Sequence, residues 1–290
     1  YTGEDTLSLH DALPISPQVP VVDNHVGSYR REIVVPATWK GKDIIAHFGS
    51  VTSNMYLWVN GKYVGYSEDS KLEAEFDLTS YLKPGQKNLI AFQVFRWCDG
   101  SMDEDQDFWR LHGLFRSVEL TAQPHVHVEN MQLEADWDAE SGTASLDAAL
   151  SVRNASDAAT ISATLKDSEG NVVWETSTNA DANTTFASGS LQGLEPWSAE
   201  SPSLYELEVN VIDQAGDIVE AVVQKVGFRR FRIENGIMTL NGKRIVFKGA
   251  DRHEFDAKRG RAITREDMLS DVVFCKRHNI NAIRTSHYPN

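Results

Sequence analysis

The stretch NMYLWVNGKYVGY, Asn54 to Tyr66, decides the class of fold. Tyr56, Leu57, Trp58 and Val59 are strand-formers that run into Asn60-Gly61, and Tyr63 and Val64 run away from it. A two-residue type I′ turn needs positive φ at both central positions, and Asn-Gly accepts this with least strain, so the stretch predicts an antiparallel hairpin. The same pattern extends outward over residues 19–123: short apolar runs, turn residues between them and almost no helical periodicity. LIAFQVFRW, Leu89 to Trp97, is nearly continuous in apolar residues and predicts a strand buried on both faces. A jelly-roll sandwich over 17–123 accounts for the pattern.

Pro124 opens a second β-region that runs to about Phe228. HVENMQLEADW, SLDAALSVRN, TISATLKD, NVVWETST, LYELEVNVID and IVEAVVQKVGF are strand candidates, separated by turns such as DSEGN and DQAGD. Six or seven strands at this spacing predict an immunoglobulin-like sandwich over 124–228. Two Asn-x-Ser/Thr triplets, at Asn154 and Asn183, are short enough to arise by chance.

After Arg229 the pattern changes. Two further Asn-Gly turns, at Asn235 and Asn241, precede a predicted strand IVFKG, Ile245 to Gly249. TREDMLSDVVFCKRHN predicts a helix capped by Thr264, with Glu266 and Asp267 in the first turn and Lys276, Arg277 and His278 at the far end. Met268, Val272 and Cys275 form its apolar face. A short strand over Ile280 to Arg284 follows. Strand, helix, strand is the opening of an α/β barrel, and 229–290 is too short to complete one, since eight such units need about 250 residues. The predicted class is therefore mainly β: jelly roll, immunoglobulin-like sandwich, then the truncated start of an (α/β)8 TIM barrel.

Composition limits the partners. Hydrophobic residues make up 41% and charged residues 24%, an ordinary globular balance, and the net charge is −14. That acidity argues against nucleic acid and anionic membranes, and leaves neutral ligands such as sugars open. No apolar run is long enough to span a membrane. Cys98 and Cys275 lie far apart and predict neither a metal site nor a disulfide framework. The first sixteen residues, YTGEDTLSLHDALPIS, lack the basic and apolar regions of a signal peptide. They resemble a translated sequencing-adapter remnant and are set aside from fold reasoning as a non-native leader. The compartment is then unread from a leader, with the cytoplasm favoured.

SMDEDQDFWRLHGLFR, Ser101 to Arg116, places four carboxylates directly before Phe108, Trp109 and Arg110. Such a run is either a solvated loop or a segment that points one carboxylate into a site. Function in an α/β barrel sits at the C-terminal ends of its strands. His253 in GADRHEF and His287 in RTSHYPN occupy such positions, with Asp251 and Glu254 beside His253 as polar wall and Arg252 able to pair with either.

These segments resemble the large bacterial β-galactosidases of glycoside hydrolase family 2. VGSYRREIVVP, RWCDGS–DEDQDFWR, VGFRRFRIENGIMTLNGKRIVFKGADRHE and NAIRTSHYPN stand in that family's order, and RWCDGS–DEDQDFWR is distinctive of its β-galactosidase branch. The resemblance implies that Asp107 contacts galactosyl hydroxyls and helps bind sodium, with Trp109 and Arg110 anchoring its loop. It implies that Asn24, His253 and His287 also reach the sugar. Asn24 lies in Asn-His-Val-Gly-Ser-Tyr, where the family has proline in place of His25, and Asp251 replaces the family's asparagine. The resemblance further implies a retaining hydrolase whose two glutamates, with most ligands of an active-site magnesium, lie beyond Asn290. Terminal β-galactosides are then the substrates, the parent enzyme is a homotetramer, and this chain alone is inactive. Competing readings are a β-glucuronidase or β-mannosidase of the same family, a lectin-like module of two sandwiches, and a chain that complements a partner supplying the missing strands.

Overall fold

A computed structural model describes residues 18–104 and 111–286. Residues 1–16, read as a leader, lie outside the described residues. Nine strands form the first sandwich: β1 (Val26–Val34), β2 (Asp43–Phe48), β3 (Val51–Thr52), β4 (Asn54–Val59), β5 (Lys62–Glu68), β6 (Ala74–Asp77), β7 (Lys87–Phe95), β8 (Gly113–Leu114) and β9 (Val118–Gln123). One sheet has the order β1-β7-β4-β5 and a second β6-β2-β9, with β3-β8 as a short pair. Asn60 and Gly61 take φ of 51° and 79°, the left-handed pair that the hairpin requires. The Asn60 side chain also donates to the Tyr81 carbonyl at 2.9 Å and accepts from the Leu89 N–H at 3.0 Å. The turn is thereby fastened to its neighbours.

Every second residue of β2, β4 and β7 enters one core. Ile44, Ala46 and Phe48 meet Leu57, Val59, Ile90, Phe92 and Val94 there. The expectation that Leu89–Trp97 is buried on both faces is corrected: burial alternates along β7, and Leu89 is 38% exposed. An antiparallel sandwich covers only one face of each strand. On the outward face Phe95 instead joins a row of rings, 5.7 Å from Tyr56, which lies 4.7 Å from Tyr66.

The second sandwich comprises β10 (His127–Asp138), β11 (Thr143–Arg153), β12 (Ala158–Lys166), β13 (Val172–Asn179), β14 (Asn183–Ala187), β15 (Tyr205–Asp213) and β16 (Ile218–Val226). Its sheets are β10-β11-β14 and β13-β12-β15-β16, an immunoglobulin-like pairing. Leu146, Leu150, Ile161, Leu165, Leu207, Val209 and Phe228 fill the core. β14 is absent from the six strand candidates, because its buried residues are only Thr184 and Phe186 in a polar run.

A three-stranded antiparallel sheet follows, β17 (Phe231–Glu234), β18 (Ile237–Leu240) and β19 (Lys243–Arg244). Its two turns, Asn235-Gly236 and Asn241-Gly242, again take positive φ at both residues. Arg230 holds this sheet to the second sandwich. Its guanidinium donates to Asp136 at 2.8 Å and to Asp138 at 3.0 Å. Arg230 holds the Asp136 carboxyl below its ordinary range, while the Ser141 backbone N–H, then Arg230, lowers Asp138 to about 2.

The barrel opening consists of β20 (Gly249–Arg252), helix α1 (Arg265–Arg277) and β21 (Ala282–Thr285), which hydrogen-bonds to β20. The strand predicted over Ile245–Gly249 is corrected, since pairing begins only at Gly249. The Asn281 side chain takes up the Lys248 N–H at 2.7 Å and the Val246 carbonyl at 3.0 Å, and among the described residues only single backbone bonds, such as Ile245 N–H to the Met238 carbonyl at 2.9 Å, join the segment to its neighbours. Thr264 caps α1, as the sequence predicts, and does so in a reciprocal box with Asp267. The helix's apolar face is not buried. Met268 is 39% and Val272 53% exposed, because two strands offer too little surface to cover it.

The chain divides into two units, residues 1–122 with 249–278 and 283–290, and residues 123–248 with 279–282. Among the described residues no helix is long and apolar enough to cross a membrane. Cys98 and Cys275 are both free thiols.

Candidate functional site

At the end of β7 the chain turns through Arg96 and Trp97, and the segment before β1 is pinned against it. The Asn24 amide donates to the Trp97 carbonyl at 3.1 Å and accepts from the Trp97 N–H at 2.9 Å. Asn24 is the residue expected to reach a sugar. Its side chain is engaged at both ends with backbone and keeps one N–H and one lone pair for a further partner. Asp23 takes a positive φ of 66° and receives Arg96 at 2.8 Å and the His25 ring at 2.7 Å. A proline at position 25 could not make that last contact, so the departure from the family pattern has a local partner.

The acidic segment begins on a 3-10 turn, Asp99–Ser101, and Ser101 Oγ accepts the Cys98 N–H at 2.9 Å. Glu104 is half-buried and turned onto the fold. It accepts from the Ser70 N–H at 3.0 Å and from the Ser70 hydroxyl. Ser70 is 4% exposed, and its carbonyl accepts from Ser50 Oγ at 2.6 Å. One of the four carboxylates is therefore committed to the fold. Asp107, proposed to meet both sugar and sodium, lies outside the described residues, as do Trp109 and Arg110.

Among the described residues, Glu68, Cys98 and Asp99 bring potential ligand atoms within 4.8 Å of one another. The two carboxylates are exposed and suit a hard cation. The thiol does not: burial pushes the Cys98 pKa up and keeps its proton in place. The set fits a cation only through its two oxygens, with the thiol as a neutral neighbour. Glu68 also accepts from Tyr66 Oη at 2.6 Å; burial, then this hydrogen bond, holds the phenol above its ordinary pKa.

Beside this turn, two cations share the Phe115 ring. Lys71 Nζ lies 5.1 Å and the Arg261 guanidinium 5.8 Å from its centroid. Arg261 follows β20, so the barrel opening reaches the base of the acidic segment. Burial, with Arg261 and Arg116 nearby, lowers the Lys71 pKa to about 8 from an ordinary 10.5, against an opposing pull from Glu104. The unfolded chain then holds more protons than the folded one between these values, so stability rises as pH rises through that window. Lys71→Met should therefore stabilise the protein most at neutral pH, with the gain shrinking toward about pH 10. Urea melts of both proteins across that range check this. A gain that is constant or grows with pH contradicts it.

The third region lies at the barrel strands. His253 is exposed, immediately after β20. Arg252, beside it, bridges Glu254 at 3.4 Å and Asp271 of α1 at 2.7 Å, with Glu254 only 10% exposed. Of the two partners considered for Arg252, Glu254 is the one it takes. Asp251 faces Arg284 of β21 at 3.6 Å. The Ser286 N–H donates to the Arg252 carbonyl at 2.9 Å, which fixes the strand end just before His287. His287 itself lies outside the described residues.

Three features went unread in the sequence: the Glu68–Cys98–Asp99 group, the Glu104–Ser70 contact and the Arg252–Asp271 pair. The first had a signal. The register from the Asn60-Gly61 turn places Glu68 opposite Asn54, and Asn54 is opposite Phe95 on the other side. The other two join residues 34 and 19 positions apart and leave no local pattern.

Comparison with known proteins covers almost the whole chain. Residues 8–124 match the sugar binding domain of the glycosyl hydrolases family 2, residues 126–229 a further domain of that family, and residues 231–290 its TIM barrel domain. A β-galactosidase of Bifidobacterium adolescentis is 54% identical over 96% of this chain, and one of Streptococcus thermophilus is 46% identical over 94%. The chain spans 28% and 26% of the lengths of these relatives. Among solved structures, a β-glucuronidase of Bacteroides uniformis superposes with a TM-score of 0.79 at 26% identity, over 92% of this chain and 34% of that one.

Proposed function

Since this chain belongs to glycosyl hydrolases family 2, we propose that it supplies the sugar-binding side of a retaining β-galactosidase acting on terminal β-D-galactosides of the lactose type. The observation that carries the reading is the 54% identity to a β-galactosidase across both sandwiches and the barrel opening. In this reading Asn24, Asp107, His253 and His287 hold the galactosyl hydroxyls. Retaining hydrolysis uses two carboxyl groups about 5–5.5 Å apart, one as nucleophile and one as acid and then base. This chain's part is to bind and orient the ring so that its anomeric carbon faces them. Asp107 is the residue that would hold a sodium ion, whose role is to tie a carboxylate to a neutral hydroxyl. Magnesium would rest mostly on residues outside these 290. The parent enzyme acts as a homo-oligomer, and the 290 residues alone give no turnover.

The backbone bonds that Asn24 makes to Trp97 fix the orientation of its amide, which suits a preorganised sugar contact. The second reading is a β-glucuronidase, favoured by the likeness in fold to solved β-glucuronidases. The nitrophenyl β-galactoside, β-glucuronide and β-mannoside, each offered to the full-length gene product, separate the readings. Preference for the galactoside by 100-fold or more in kcat/KM is the expected result. Preference for the glucuronide would replace the proposal.

A further inference from the structure

Three Asn-Gly pairs turn the chain, and their backbones are alike. Asn60, Asn235 and Asn241 each take φ of 51°, and Gly61, Gly236 and Gly242 take 79°, 75° and 75°. Backbone form does not distinguish them, but the engagement of each asparagine amide does. The Asn60 amide donates to the Tyr81 carbonyl at 2.9 Å and to Asn88 Oδ1 at 2.8 Å, and accepts from the Leu89 N–H at 3.0 Å. The Asn241 amide donates to the Trp197 carbonyl at 3.0 Å and accepts from the Arg230 N–H at 2.9 Å. Asn235 is exposed, and among the described residues nothing hydrogen-bonds its side chain. An amide held at both ends cannot swing onto the following backbone nitrogen, and reacts only when its turn opens locally. The Asn235 amide is under no such restraint.

We propose that Asn235-Gly236 is a site of spontaneous deamidation and that the fold protects the other two turns from it. The Gly236 nitrogen gives up its proton to hydroxide and attacks Asn235 Cγ. A C–N bond forms and the Cγ–Nδ2 bond breaks. Nδ2 takes a proton from water and leaves as ammonia, closing a succinimide. Water then opens the ring. Cleavage of the Cγ–N bond yields aspartate, and cleavage at the main-chain carbonyl yields isoaspartate, with no oxidation or reduction. Glycine favours the attack because no Cβ crowds its nitrogen. Either product adds a negative charge beside Glu234. Isoaspartate also adds a methylene to the backbone of a two-residue turn that the Glu234–Ile237 pair closes.

The test is peptide mapping by mass spectrometry of the 290-residue chain, aged in mildly alkaline buffer with and without guanidinium chloride. In buffer, Asn235 should convert about tenfold faster than Asn60 and Asn241, since either of those must first release its hydrogen bonds. In denaturant the three sites should convert at similar rates, because each is followed by glycine and the fold no longer holds them. Enzymatic methylation of isoaspartyl groups should label the peptide that carries Asn235. Asn60 or Asn241 converting in buffer as fast as Asn235 overturns the protection. A gap that persists undiminished in denaturant overturns it too, because local sequence and not the fold would then set the rates. No conversion at Asn235 over a period in which the denatured chain converts fully overturns the site. Aspartate without isoaspartate overturns attack by Gly236, because direct hydrolysis of the amide gives aspartate alone.

Discussion

Phe228→Ala lowers the unfolding free energy of the immunoglobulin-like sandwich by about 3–5 kcal/mol, the range for a fully buried aromatic cut to alanine. Phe228 is 0% exposed and packs edge-on against Tyr205 at 5.4 Å. Tyr205 in turn accepts the Glu195 N–H at 2.8 Å, and the Phe228 carbonyl accepts the Trp197 N–H at 2.8 Å. The segment around Trp197 is therefore held at two points beside this ring. The cavity left by alanine cannot close without moving that segment, which is why the upper part of the range applies. Phe231, three residues on, is 49% exposed and serves as the control. Its alanine variant should change stability by about 0.5 kcal/mol. Urea denaturation followed by tryptophan fluorescence measures both. Equal losses from the two variants would show that Phe228 is not a core residue of this unit.

Asp107→Asn in the full-length enzyme should lower kcat/KM for galactosides on the order of 100-fold, the scale of losing one charged contact that tightens in the transition state. Sodium dependence should weaken along with turnover, because an amide is a poorer ligand for a hard cation than a carboxylate. Melting temperature should hold, since Asp107 is read as a ligand-binding residue, whereas Glu104 is the carboxylate bonded to the fold at Ser70. The measurement is initial rate against galactoside at several sodium concentrations. Kinetics equal to wild type at every concentration would remove Asp107 from the site, and a large loss of melting temperature with intact turnover would make it structural.

The architecture was legible because it rests on local chemistry. Three Asn-Gly pairs marked three hairpins, and all three adopt the left-handed φ that the turn demands. Short apolar runs between turn residues marked the strands of both sandwiches, and Thr264, followed by the first-turn acids Glu266 and Asp267, marked the start of α1. Two misreadings share a cause. LIAFQVFRW looked buried on both faces, and IVFKG looked like a paired strand, because composition reports how apolar a segment is and not what stands beside it. Leu89 is exposed and Phe95 meets the Tyr56 ring outside the core, and Val246 is bonded to an asparagine side chain.

For the site, the division is sharper. The sequence by itself determined which residue types stand at strand ends and in the acidic segment, since turn chemistry and period are short-range. Only the tertiary structure decided what those side chains are committed to. It put Asn24 on the Trp97 backbone, Glu104 on a buried serine 34 residues away and Arg252 between Glu254 and Asp271. The physical reason is that a polar side chain near a core must find a hydrogen-bond partner. The partner it finds is fixed by how distant strands are brought together, which no local spacing encodes.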